Sequence, residues 1–192
     1  MLKFISNYFV EQLTPVVRYL HYLILAFVLI QIVISNFMNI DGGVISQKAV
    51  EYTATWMHIG IGLLLLILAI VFIVIELTKH GVLYFYPYLV GDIAQLKSDI
   101  KNLARLELPE ATPKGLAAII QGLGLGALFL VALAGASWLL LWSMNSSLAS
   151  DARDLHKSLT GLIIAYVIGH GGMGILHMFM TYKKQKQVKK AN

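Results

Sequence analysis

No charged side chain occurs between Gly115 and Ser150, and two further stretches, Tyr19 to Ile40 and Tyr52 to Ile75, are equally free of charge. A fourth, Ser158 to Tyr182, carries no charge unless a histidine is protonated. Each exceeds the ~20 residues that a helix needs to cross hydrocarbon. Without water to satisfy backbone N–H and C=O groups, such stretches have to be helical. Of the 192 residues, 58% are hydrophobic and only 13% charged, which excludes an ordinary soluble domain. The expected fold is all-α: a four-helix transmembrane bundle in one membrane-integral domain, with helices at about 17–40, 52–76, 115–144 and 155–182.

The connections carry their own signals. Pro15 marks a helix start. The first apolar run is too long for a secretory signal and no small-x-small cleavage site follows it, so it is kept as a helix. Asp41-Gly42-Gly43 makes a turn, and a short polar loop leads to Glu51. Between the second and third spans, Ile93, Leu96, Ile100, Leu103 and Leu106 recur every three or four residues among charged ones, which predicts a short amphipathic helix on the membrane surface, ended by Pro109 and Pro113. Gly122, Gly124, Gly126 and Gly135 give the third span small surfaces for close approach, and the Gly122-x-x-x-Gly126 pair permits self-association.

The net charge of +5 suggests nucleic acid at first sight, but the basic residues follow membrane topology instead. Twelve Lys and Arg lie on the side of the two termini and three (Lys48, Arg153, Lys157) on the other. The asymmetry predicts a multi-pass protein of the bacterial inner (plasma) membrane with both termini cytoplasmic, in contact with lipid and not with nucleic acid. The absence of cysteine excludes disulfides, thiolate metal sites and covalent haem attachment.

The histidines are the candidate functional groups, because an ionisable side chain inside a membrane is a functional hypothesis by default. His156 and His170 lie fourteen residues apart on the last span, ~21 Å along its axis and within ~40° of one face. His58 sits about two turns below the outer end of the second span and His21 just inside the cytoplasmic end of the first. By depth, His58 pairs with His156 and His21 with His170. Such pairs are expected to ligate haem iron, a common partner of imidazole. His177 shares the face of His170, but using it would stretch the levels to ~31 Å, nearly the hydrocarbon thickness. It is therefore placed near the inner interface, lining a pocket or facing headgroups. His80 reads as an ordinary interfacial residue. Arg18 near the inner pair, and Arg153 and Lys157 near the outer one, are candidates to neutralise haem propionates, or plain topology charges.

One histidine opening the first span, one in Trp56-Met57-His58-Ile59-Gly60, and two separated by fourteen residues in the last resemble the bacterial di-haem cytochrome b family. That family includes cytochrome b561 and the b-type subunits of nickel-iron hydrogenase and formate dehydrogenase, and the resemblance is closest to the formate dehydrogenase gamma subunit. It implies a single cytochrome b domain holding two b haems on His21, His58, His156 and His170. It also implies electron transfer between membrane quinone (menaquinone or ubiquinone) and an extracytoplasmic partner, a dehydrogenase or cytochrome c, with no catalytic acid or base. In the gamma subunit quinone binds near an Asn-x-Gly at the start of the third helix. The corresponding stretch here, Thr112-Pro113-Lys114-Gly115, lacks the Asn, and Lys114, Gly115 and His177 remain the quinone-site candidates. Two alternatives stand beside this reading: a freestanding superoxide:quinone oxidoreductase, and a haem-free small transporter or assembly factor.

Overall fold

Proline is favoured at the first position of a helix because its missing N–H would have no intrahelical acceptor there. In the computed structural model, which describes residues 13–105, 107–109 and 111–191, Pro15 opens α1, Pro15–Ser35. There follow a hairpin of β1 (Ile40–Asp41) and β2 (Val44–Ile45), α2 (Ala49–His80), α3 (Val82–Phe85), a 3-10 turn at Pro87–Val90, α4 (Ala94–Ala104), α5 (Leu116–Ser143) and α6 (Ala149–Ala191). The fold is all-α, and α1, α2, α5 and α6 are long and apolar enough to cross a membrane.

Helix boundaries depart from the sequence reading where side chains compete with the backbone. Helix α1 stops at Ser35, short of residue 40, because Ser35 Oγ and Asn36 Nδ2 each donate to the Ile32 carbonyl at 2.8 Å. The expected turn at Asp41-Gly42-Gly43 becomes the bend of a hairpin that pairs Ile40 with Ile45 and Asp41 with Val44. Positive φ at Gly42 (53°) and Gly43 (82°) supplies the twist that two-residue hairpins favour. Helix α6 starts before residue 155: Asn145, at φ 52°, ends α5, the Ser146 N–H donates to the Leu141 carbonyl at 2.9 Å, and α6 restarts with Asp151 in its first turn. It then runs on through the basic segment. Its 43 residues correspond to ~65 Å, about twice the hydrocarbon thickness.

The chain divides into two compact units. One comprises Tyr19–Ile75 and Leu125–Ile163. Within it the hairpin is clamped by two donors: Trp142 Nε1 to the Gly43 carbonyl at 2.7 Å, and Arg153 Nη2 to the Ile40 carbonyl at 2.8 Å. Trp142 also meets Trp56 edge-on and stacks with Trp138, an aromatic cluster of the kind found at membrane–water boundaries.

The other unit is built on Glu76–Gly124 and the residues from Ile164 onward. Its surface helix α4 is amphipathic as expected, but Ile100 and Leu103 face outward, 51% and 40% exposed, while Asp99 is buried; Leu106 lies outside the described residues. Asp99 Oδ2 accepts the Leu116 N–H at 2.7 Å and Oδ1 accepts Gln95 Nε2 at 2.8 Å. A carboxylate on one helix thus caps the positive end of another. Gly115 makes room for it, since a Cβ there would stand 2.5 Å from Asp99 Oδ2. Tyr86 ties the same unit together by donating to the Gly122 carbonyl at 2.8 Å. Burial, with Tyr88 adding, raises its hydroxyl above the usual tyrosine range and keeps it a donor. Phe85 and Tyr86 cover Gly122, whose Cβ would stand 2.7 Å from Phe85 Cβ, whereas Gly126 faces open space. The two glycines are therefore not one free self-association surface.

Replacing Asp99 by Ala leaves the first N–H of α5 without its acceptor, and a cost of about 1–3 kcal/mol is expected. In a thermal melt of the protein in detergent this should lower Tm by several degrees. A variant that melts with the parent would show that the cap carries no load.

Candidate functional site

His58 on α2 and His156 on α6 meet within one unit. Their ring centroids are 6.1 Å apart and the rings nearly perpendicular, at 85°. Each is placed by a backbone carbonyl that a glycine exposes. His156 Nδ1 lies 2.8 Å from the Val131 carbonyl oxygen, and one turn along α5 the Cβ of any residue at Gly135 would come within 3.1 Å of the imidazole. On α2, Gln31 Nε2 donates to the His58 carbonyl at 2.8 Å. One turn further, a Cβ at Gly62 would stand 3.1 Å from that nitrogen. In both places the missing side chain lets a neighbouring helix reach a main-chain oxygen that a larger residue would shield.

These imidazoles line a cavity of about 590 Å³ with Val28, Leu63, Leu128 and Trp138 among its apolar walls. That volume is of the size that holds a cofactor, roughly 300–1,000 Å³. Arg153 and Lys157 are also in the lining, and among the described residues no carboxylate is. Such a cavity suits a flat, largely apolar molecule with acidic substituents.

The imidazole geometry fits a metal at its centre. With Nδ1 donating to a carbonyl, the lone pair of His156 is on Nε2. The two imidazoles, 6.1 Å apart between centroids, are the residues that would hold a haem iron in this cavity. His58 Nδ1 is buried without a hydrogen-bond partner, so this ring is not committed to a structural role through that atom.

The remaining candidates are distributed between the units. His21 belongs to the same unit as His58 and meets Phe72 edge-on at 6.5 Å. His170 and His177 belong to the other. His170 stacks on Tyr166 with centroids 5.0 Å apart and planes 8° from parallel. The Tyr166 ring in turn fills the space over Gly124. The His177 carbonyl accepts from Thr181 Oγ1 at 3.0 Å. Arg18 lies in the first turn of α1. Lys114 takes a left-handed φ of 62°, and its ammonium pairs with Asp92 at 2.8 Å; Gly115 makes space for the Asp99 cap. The structure therefore brings together His58, His156, Arg153 and Lys157.

Four apolar spans and a cavity lined by paired imidazoles are features that a membrane cytochrome of the b type would combine. The family model for prokaryotic cytochrome b561 matches residues 12–187, and the chain belongs to that family. Searches of curated proteins and of solved structures find no match. Membership makes the chain a bacterial membrane protein that binds b-type haem and carries electrons.

Sequence reasoning missed Gln31 and Glu76. Gln31 is a polar residue inside an apolar run, and that alone was the available signal. Glu76 directly follows the second charge-free run, and nothing in the sequence distinguishes it from a solvated boundary charge, although it is buried.

Enlarging Gly135 to Val should displace the His156 ring, so the purified variant should lose haem from this cavity while its helical circular dichroism stays intact. Retention of the parent haem content and spectrum would show that the imidazole does not need its seat on Val131.

Proposed function

We propose that the protein is a single-domain, di-haem b-type cytochrome that passes electrons between membrane quinone and an extracytoplasmic redox partner. The observation that supports this best is the His58–His156 pair, 6.1 Å between centroids, in a cavity walled by apolar side chains and two cations. One haem rests on His58 and His156, with Arg153 and Lys157 beside its propionates. The other is assigned from sequence depth alone to His21 and His170, with Arg18 as the candidate cation for its propionates. Bound haem supplies one-electron iron chemistry.

The chain's own residues do the rest. Gln31 and the Val131 carbonyl fix the backbone and ring that present the imidazoles. The apolar wall excludes water and raises the energetic weight of nearby charge. Quinone is assigned to the cytoplasmic end, near Lys114, Gly115 and His177, with both termini on that side. A second reading, superoxide:quinone oxidoreduction at the outer haem, draws on the cationic lining, since Arg153 and Lys157 without an opposing carboxylate would attract a small anion.

The test is a redox difference spectrum with haem quantified per chain, on the parent and on His58→Ala and His170→Ala. Two haems in the parent, with a different one lost in each variant, are expected. A colourless parent would end the electron-transfer reading. Loss of haem from His177→Ala but not His170→Ala would move the inner ligand. Superoxide generated in solution should reduce the haem only on the second reading, and superoxide dismutase should abolish the effect.

A further inference from the structure

The C-terminal end of α2 holds a carboxylate that the haem cavity does not use. Glu76 is 2% exposed, and its Oε2 accepts Gln121 Nε2 from α5 at 3.0 Å. One turn on, His80 Nδ1 lies 3.4 Å from the same oxygen. That is ion-pair distance, yet the two are not aligned as a hydrogen bond, and Nδ1 is buried with no hydrogen-bond partner. The His80 ring packs against Tyr84 at 4.7 Å and meets Phe85 edge-on. It also lines a recess shared with Gly81, Tyr84, Pro113 and Lys114. The Lys114 ammonium is engaged by Asp92, which leaves the His80 imidazole as the other nitrogen side chain lining the recess.

A buried carboxylate is costly in apolar surroundings. Joining α2 to α5 does not require it, because an amide would accept from Gln121 equally well. What the carboxylate adds is the capacity to take and release a proton, and the imidazole between it and the recess has two nitrogens suited to relaying one. We propose that Glu76 and His80 are a proton-exchange pair serving a quinone head group seated in the recess beside Lys114. The proposal rests on the quinone reading above and names the proton path for it. When a quinol O–H bond breaks, its proton goes to one nitrogen of His80, and the proton on the other nitrogen passes to the Glu76 carboxylate. The accompanying electron goes to the b-type haem of the family. Each passage removes one proton and one electron. Before the second, Glu76 returns the first proton through His80 to water, which restores both groups. Two passages convert quinol to quinone, and reduction runs the same steps backwards.

The test uses haem-loaded protein with a short-chain quinol, comparing the parent with Glu76→Gln and His80→Gln. Three quantities are read: haem content, equilibrium binding of the matching quinone, and the rate of haem reduction by the quinol. Infrared difference spectra, quinone-reduced minus oxidised, supply a readout independent of turnover. Both variants should keep their haem and bind quinone within about twofold, reduce at least tenfold more slowly, and in Glu76→Gln lose a carboxyl band present in the parent. If parent and variants reduce equally fast, the relay is wrong and the quinone reading stands. If affinity and rate fall together, the residues bind the head group and do not pass protons, which also overturns the relay. If the parent neither binds quinone nor is reduced by quinol, the quinone reading itself falls, and the relay with it.

Discussion

A polar group carried into apolar surroundings is costly unless another group of the chain meets it, because hydrocarbon offers nothing in exchange. Several observed contacts answer that constraint. Asp99 is met by an N–H of α5, Glu76 by Gln121, His156 by the Val131 carbonyl, and Gln31 by the carbonyl of His58. Apolar side chains such as Ile67, Leu140 and Ile168 face outward, at 59%, 61% and 70% exposure. The polar contacts join α1 to α2, α2 to α5 and α5 to α6.

Two of those contacts depend on glycine in the same way. In a helix the residue four positions on stands beside a given carbonyl and shields it from a neighbouring helix. Gly135 stands so beside Val131, and Gly62 beside His58. A single absent methyl at each gives an adjacent helix access to a main-chain oxygen, and the imidazole ring and the Gln31 amide use that access. The wall of the cavity at His58 and His156 is thus shaped by what is missing from α2 and α5 as much as by what lines it.

The spans were legible because charge-free runs longer than a bilayer admit one backbone solution. His58 and His156 were legible as a pair because helical rise turns sequence position into depth. The Asp99 cap was not legible, since the periodicity that marked α4 as amphipathic counts Asp99 simply as one of its polar residues, and only the packing of α4 on the start of α5 shows it inward. The hairpin escaped for a different reason, its strands being two residues each and too short for alternation to register. Gly122 and Gly126 matched a spacing for helix association, but Phe85 and Tyr86 had already taken one of the two. Helix α6 outran its expected ends because charge marks where hydrocarbon stops, not where hydrogen bonding stops.

Helix α4 offers Ile100 and Leu103 outward while Asp99, beside them, accepts the first N–H of α5 on one carboxylate oxygen. A helix embedded by such side chains floats at the depth that the lipid sets. The bond at Asp99 is therefore a tether between an element positioned by the interfacial layer and one positioned by the hydrocarbon. Bilayers of different thickness pull on that tether, and on the Lys114–Asp92 pair beside it, to different degrees. The lipid in which the protein is purified therefore bears on its stability through two identifiable contacts.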